Sequence, residues 1–218
     1  RDSIRILEVF DENGRARKIT SFVDGLNLPI GIYPYKDGVI AWSIPNIWFF
    51  RDTDGDGKAD KREVLYGPFG WERDTHGNQA SFLRGFNGWL YATHGFNNIS
   101  EVTARNGSTV KMHSGNTYRM ALDGGHIEHH TFGQVNPFGL CFDPAGNIYS
   151  ADCHSAPIYE LLRGAYYPSF GKPHDGLGFG PTLMEHSHGS TAICGIIHYT
   201  DDQWPAEYQN NILIGNVM

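Results

Sequence analysis

The chain has 218 residues, with 17 Lys+Arg against 24 Asp+Glu and a formal charge of -7, which suits one domain with a sizeable core. The acidic balance and the scatter of the basic residues argue against nucleic acid as the main partner. No run of about eighteen apolar residues is present to span a membrane. Small polar ligands and cations are the better expectation.

Gly 27, Tyr 11, Phe 13 and Trp 5 favour many short strands joined by tight turns over long helices. Cys141, Cys153 and Cys194 form no CxxC or CxxCH arrangement, which excludes a zinc ribbon and a c-type haem site and leaves buried thiols with room for one bridge. The sequence opens at "RDSIRILEVF" without an apolar leader, so an export signal is expected to have been removed or to lie outside it.

In chain order, "IRILEVFDENGRARKITSFVDGL" reads as the outer part of a first blade, turning at "DENG". Four segments then repeat one layout of strand, turn and strand. They are "LPIGIYPYKDGVIAWSI", "HGNQASFLRGFNGWLYATHG", "NPFGLCFDPAGNIYSADCHS" and "HGSTAICGIIHYTDDQWPAEYQNNILIGN". Asp37-Gly38, Asn87-Gly88 and Pro144-Ala145-Gly146-Asn147 supply the turn residues of the first three. Outer pairs follow: "NIWFFRD" with "REVLYG", and "NTYRMALDGGHIEHHTFG" turning at Asp123-Gly124-Gly125. "RGAYYPSFGKPHDGLGFGP" reads as a loop.

Copies spaced by about 50 residues have the period of a propeller blade. The expectation is an all-β chain, one β-propeller domain of four-stranded antiparallel blades over 1–218, with inner hairpins near 29–43, 78–93, 137–152 and 190–216. Because four such hairpins begin with outer strands and stop after an inner pair, the chain reads as part of a larger ring, with a complete four-bladed ring as the alternative.

"DTDGDGKADKRE" matches the twelve-residue calcium loop position by position. Asp52, Asp54 and Asp56 would supply carboxylates, Lys58 its carbonyl, Asp60 a direct or water-mediated contact, and Glu63 a bidentate closure, with Gly57 at the sharp turn. The flanks are β-rich rather than helical, so the ion would staple a blade edge rather than switch a helix pair.

In a propeller, the loops entering the inner strands and those leaving the next strands converge on one face. His76, Asn136 and His188 precede first strands, and His94 and Asp152 end second strands. A ring of such residues is not what an apolar lining needs, so these five are the candidate ligand site. His76 leads as proton acceptor because Asp74 stands beside it. "HIEHH", His126 to His130, looks metal-like, yet strand alternation would split its side chains between two faces.

The order "DTDGDGKAD", "DTHGN", "GFNGWLYATHG", "NPFGLCFDPAGNIYSADC", "GAYYP" and "HGSTAICGIIHY" resembles the N-terminal propeller of the membrane-bound dehydrogenase-type proteins of planctomycetes and verrucomicrobia. Those are distant relatives of the glucose/sorbosone dehydrogenases, six-bladed quinoproteins that use pyrroloquinoline quinone and calcium. The resemblance implies that His76 is the general base toward a sugar hydroxyl and that Asn136 contacts quinone and substrate. It also implies a six-bladed ring and a cytochrome or other domains of the parent chain as electron acceptor, while the calcium loop itself suits an extracytoplasmic compartment where calcium is abundant. Val135 and Phe138 stand where the family pattern has arginine and glutamine, which removes the cation an anionic quinone requires.

The function expected is a quinoprotein-like dehydrogenase domain oxidising a sugar or related alcohol. A non-catalytic carbohydrate- or protein-binding propeller is the first alternative, and a metal-assisted hydrolase or lactonase the second.

Overall fold

A computed structural model describes residues 2–153, 158–169, 182–184 and 192–217. Apart from one 3-10 turn at Ala206–Tyr208, the regular elements among them are strands. No helix there is long and apolar enough to cross a membrane.

β1 (Asp2–Phe10) and β2 (Ala16–Leu26) form a hairpin that turns where Asp11 accepts the amides of Asn13 and Arg15. β3 (Ile32–Tyr35), β4 (Gly38–Ser43), β5 (Asn46–Arg51) and β6 (Lys61–Tyr66) follow as a four-stranded antiparallel meander in chain order. Gly38 is required at its first turn, since a Cβ there would come within 1.9 Å of the Phe50 carbonyl oxygen.

The next sheet takes β7 (Ala80–Arg84) and β8 (Leu90–His94). The chain then leaves it for a separate hairpin of β9 (Ile99–Thr103) and β10 (Thr109–His113), and returns as β11 (Asn116–Met120) and β12 (Ile127–Gly133). A third sheet begins with β13 (Asn136–Phe142), β14 (Ile148–Cys153) and β15 (Ile158–Glu160). β16 (Tyr166–Tyr167) goes back to pair in parallel with β12, and β17 (Thr182–Met184) completes the third sheet. β18 (Ala192–Tyr199) and β19 (Asn211–Val217) pair with each other.

Period-two alternation explains how these sheets stack. In β4, Ile40 and Trp42 face the second sheet while Ala41 faces the β1–β2 hairpin. In β8, Leu90 and Ala92 face the first sheet while Tyr91 faces the third. Three apolar layers result. Phe22, Val23 and Leu26 pack on Ala41 and Phe50; Trp42, Phe69, Leu90 and Tyr118 lie between the first and second sheets; Tyr91, Leu140, Tyr159 and Tyr167 lie between the second and third. Each large side chain buried this way contributes about 1.5–3 kcal/mol.

The leading strands β3, β7, β13 and β18 touch in that succession. Antiparallel meanders stacked face to face, with their first strands in sequence along one side, are blades of a β-propeller.

Candidate functional site

Strand direction alternates within each blade, so the β5–β6 loop and the entry to the inner strands lie at opposite ends. The acidic loop is therefore remote from His76.

At the acidic end, ligand oxygens of Asp52, Asp54 and Asp56 lie within 4.8 Å of one another. Such a grouping of carboxylates fits a hard divalent cation. Asp52 shapes the loop by accepting the amides of Gly55 at 2.7 Å and Gly57 at 2.9 Å. The loop also docks on β2, through the Ala59 N–H to the Phe22 carbonyl at 2.7 Å. Asp60 is engaged by Thr53, whose amide and hydroxyl it accepts at 3.0 and 2.5 Å and which hold its carboxyl below the usual range. Glu63 does not join the trio. It sits in β6 opposite Phe49 and pairs with Arg105 at 2.7 Å. Where an EF-hand would turn its twelfth residue back on a helix, the strand beginning at Lys61 carries Glu63 away. Asp52, Asp54 and Asp56 are the residues that would hold calcium, with Lys58 and Asp60 in the same loop.

At the other end, the chain between the first and second blades is clamped by Asn98, which is fully buried. Its side-chain amide donates to the carbonyls of Asp74 at 2.7 Å and Gly77 at 3.0 Å, and its oxygen accepts the Asp74 N–H at 3.2 Å. The clamp presents His76 outward, with its side chain 93% exposed and Nδ1 3.2 Å from Asp74 Oδ1. Gly77 and Gly95 let two loops meet here: a Cβ on Gly95 would lie 2.5 Å from the Gly77 Cα and 2.6 Å from Asn136 Oδ1. Asn136 closes the contact by accepting the Phe96 N–H at 3.0 Å. His76 and Asn136 thus flank one junction between the second and third blades.

His94 and Asp152, expected to line the same face, are instead fully buried. His94 Nδ1 donates to the Ser114 carbonyl at 2.7 Å, and Nε2 accepts the Ser100 hydroxyl at 2.8 Å. Ser100 Oγ in turn accepts the Gly70 N–H at 2.9 Å. Burial dominates its titration, pulling it down to about 4, so the ring is neutral near pH 7. Asp152 accepts the amides of Val135 at 3.0 Å and Asn136 at 2.7 Å. Both residues pin backbone that no ladder satisfies. Asn98, Ser100 and Ser114, which perform the pinning, occur at positions without counterparts in the repeats. His188 lies outside the described residues, as does His186.

The HIEHH segment is split as alternation requires. His126 meets Asn106 and Glu128, His129 stacks on Phe132, and His130 lies under Tyr91, where burial lowers its pKa to about 4.

A tricarboxylated quinone needs cationic donors. Val135 is 3% exposed with its amide committed to Asp152, and the carboxylate behind it is buried, so the quinone does not fit at Val135, Asn136 and Asp152. Phe138 is 39% exposed and apolar. Arg119 and Arg163 are bound to Glu128. On the loop that carries His76, Arg73 is the exposed cation.

Stacked antiparallel blades define the class: a β-propeller domain, here with a polar junction at the inner-strand entries. The chain belongs to the family described as a domain of unknown function, DUF7133, whose model matches residues 1–218. No curated protein matches it. Among solved structures it is similar to a glucose dehydrogenase, 14% identical over 90% of this chain and 82% of the other, with a TM-score of 0.42. A PQQ-bound aldose sugar dehydrogenase from Streptomyces coelicolor is 15% identical over 79% and 72%, with a TM-score of 0.36. A luciferin-regenerating enzyme is 9% identical over 90% and 80%, with a TM-score of 0.39. Likenesses of this strength carry no argument about substrate or cofactor.

Proposed function

We propose that this domain takes part in the oxidation of a sugar or related alcohol, with His76 as the group that accepts the substrate hydroxyl proton. The observation that supports it is the pairing of an outward, solvent-facing imidazole with the carboxylate of Asp74, a residue whose backbone N–H and carbonyl are held by the buried Asn98. Asp74 fixes the ring and stabilises the imidazolium that forms, as a general base requires. Asn136, half-buried beside the junction, orients the incoming hydroxyl-bearing ligand.

The Val135 surroundings offer pyrroloquinoline quinone no cation. Arg73 is the residue through which a quinone carboxylate could still be met. At the opposite end Asp52, Asp54 and Asp56 would hold a calcium ion, which would brace the loop that docks on β2 through Ala59. An extracytoplasmic setting, with calcium abundant and a cytochrome or another domain of the parent protein as electron acceptor, completes the proposal.

Titration with the quinone in millimolar calcium, followed by absorbance and calorimetry, tests the cofactor. A sugar panel with an artificial dye acceptor, run on the wild type and on His76→Ala, tests the base. Dye reduction unchanged in His76→Ala would sink the assignment.

A second reading, a carbohydrate-binding propeller without catalysis, is favoured by the burial of His94 and Asp152. It predicts saturable oligosaccharide binding that survives His76→Ala.

A further inference from the structure

The three thiols take no part in either site, and the strand registers decide which of them can meet. Cys141 is buried in β13 opposite Tyr149, and its sulfur is hydrogen-bonded to the backbone of His198 in β18. Cys153 lies four residues beyond Tyr149 along β14, and Cys194 four residues before His198 along β18. At about 3.3 Å per residue Cys153 lies ~13 Å from the level of Cys141, and a disulfide spans Cα atoms only about 4.4–6.8 Å apart, so those two cannot bridge. Cys194 lies at the level of Gly139, two residues along β13 from Cys141, while the Cys141 sulfur is turned to His198.

Cys153 and Cys194 come to one level from two blades. β14 touches β18, and the Cys153 sulfur is hydrogen-bonded to the backbone of Ile193, the neighbour of Cys194, within electrostatic reach of the Cys194 thiol. Gly139, paired with Ala151 two residues before Cys153, lets the strands close: a Cβ there would come within 2.2 Å of the Cys194 carbonyl oxygen. Both cysteines are partly exposed, so an oxidant can reach them.

We infer that Cys153 and Cys194 form a disulfide that fastens the second strand of the third blade to the innermost strand of the fourth. The oxidant is a small disulfide. A Cys153 thiolate attacks it, releasing one reduced thiol, and the Cys194 thiolate then displaces the second from the mixed disulfide. Two protein thiols lose their protons and two electrons, one S–S bond forms, and one is broken in the oxidant. The bridge closes a loop of roughly 40 residues, in the range where a cross-link restrains the unfolded chain strongly.

The test is to incubate the whole chain with oxidised glutathione, quench with acid, alkylate with N-ethylmaleimide and map the peptides without reduction. The expected result is a Cys153–Cys194 peptide within the monomer, lost on adding dithiothreitol, with Cys141 alkylated only after unfolding. N-ethylmaleimide on both Cys153 and Cys194, a bridge that includes Cys141, or a link found only in a covalent dimer would each overturn the inference. Cys153→Ser should leave Cys194 open to N-ethylmaleimide after the same oxidation; protection of Cys194 equal to that in the wild type would also refute it.

Discussion

Asp74 holds His76 at two points, accepting its backbone N–H at 2.8 Å and standing 3.2 Å from Nδ1 with the same oxygen. One carboxylate therefore sets both the loop and the ring. His76→Ala is expected to lower dye-linked turnover by about 10²–10⁴-fold, the range for removing a general base, with the fold intact by circular dichroism. Asp74→Ala should fall short of that loss while still lowering kcat more than it raises KM. Full activity in Asp74→Ala would remove the carboxylate from the mechanism.

Gly77→Ala tests the same junction through its backbone. An added Cβ would come within 2.2 Å of the Phe96 carbonyl oxygen, so the loop must shift. Turnover should drop about tenfold or more although no reacting group is altered, because a displacement near 1 Å is costly to a positioned base. Unchanged kinetics would show that the loop position is not critical.

Calcium should raise thermal stability without being needed for the chemistry. At 100 times its dissociation constant an ion adds about 2.7 kcal/mol, or roughly 5–10 °C for a chain of this size. Asp54→Ala is the informative variant, because Asp52 also shapes the loop through Gly55 and Gly57. Scanning calorimetry should find its midpoint unresponsive to calcium and equal to that of the chelated wild type.

Acid should weaken the fold through His94. Its folded value is about 4 against an ordinary 6.5, so the unfolded chain binds the proton first as pH falls. The stabilisation is complete above pH 6.5 and is lost between there and about 4, with an order of magnitude of 3 kcal/mol. His130 adds to the same window. Urea unfolding at several pH values should show this loss in the wild type and a smaller one in His94→Asn.

Asp152→Ala should cost stability rather than ligand affinity. Two buried amides would lose their acceptor, at roughly 1–3 kcal/mol each. Calorimetry of the variant with any ligand found for the wild type separates the two effects.

The blades are legible in the sequence because their turns are marked by residues that tolerate the required backbone. Asp37-Gly38, Asn87-Gly88 and Asp123-Gly124 sit where β3–β4, β7–β8 and β11–β12 reverse, with Gly88 and Gly124 at positive φ. The aspartate trio is legible for a similar reason, since it depends on a local curl. The β9–β10 hairpin is missing from a reading by repeats, because no other blade has a counterpart among the described residues. Its signal is nonetheless present: Asn106-Gly107 stands between "ISEVT" and "TVKMH", a strong hairpin sign. His94 and Asp152 mislead because a polar residue at a strand end can line a funnel or pin buried backbone with equal ease. The groups that decide are Ser100, Ser114 and the amides of Val135 and Asn136, which only tertiary folding brings near.

The β9–β10 hairpin has the anatomy of a graft. It leaves the second blade after His94 and rejoins it at Asn116, and those two residues are already direct cross-strand partners. A short reverse turn could splice β8 to β11 and leave the blade whole. What the excision would remove is fastening and filling together: Ser100 to Gly70 and His94, Arg105 to Glu63, the Asn98 clamp on the His76 loop, and the buried Val102, Val110 and Met112. The hairpin is thus a plug as well as a rivet: the ladder of the second blade could close without it, but the layer between two blades and the seat of His76 could not.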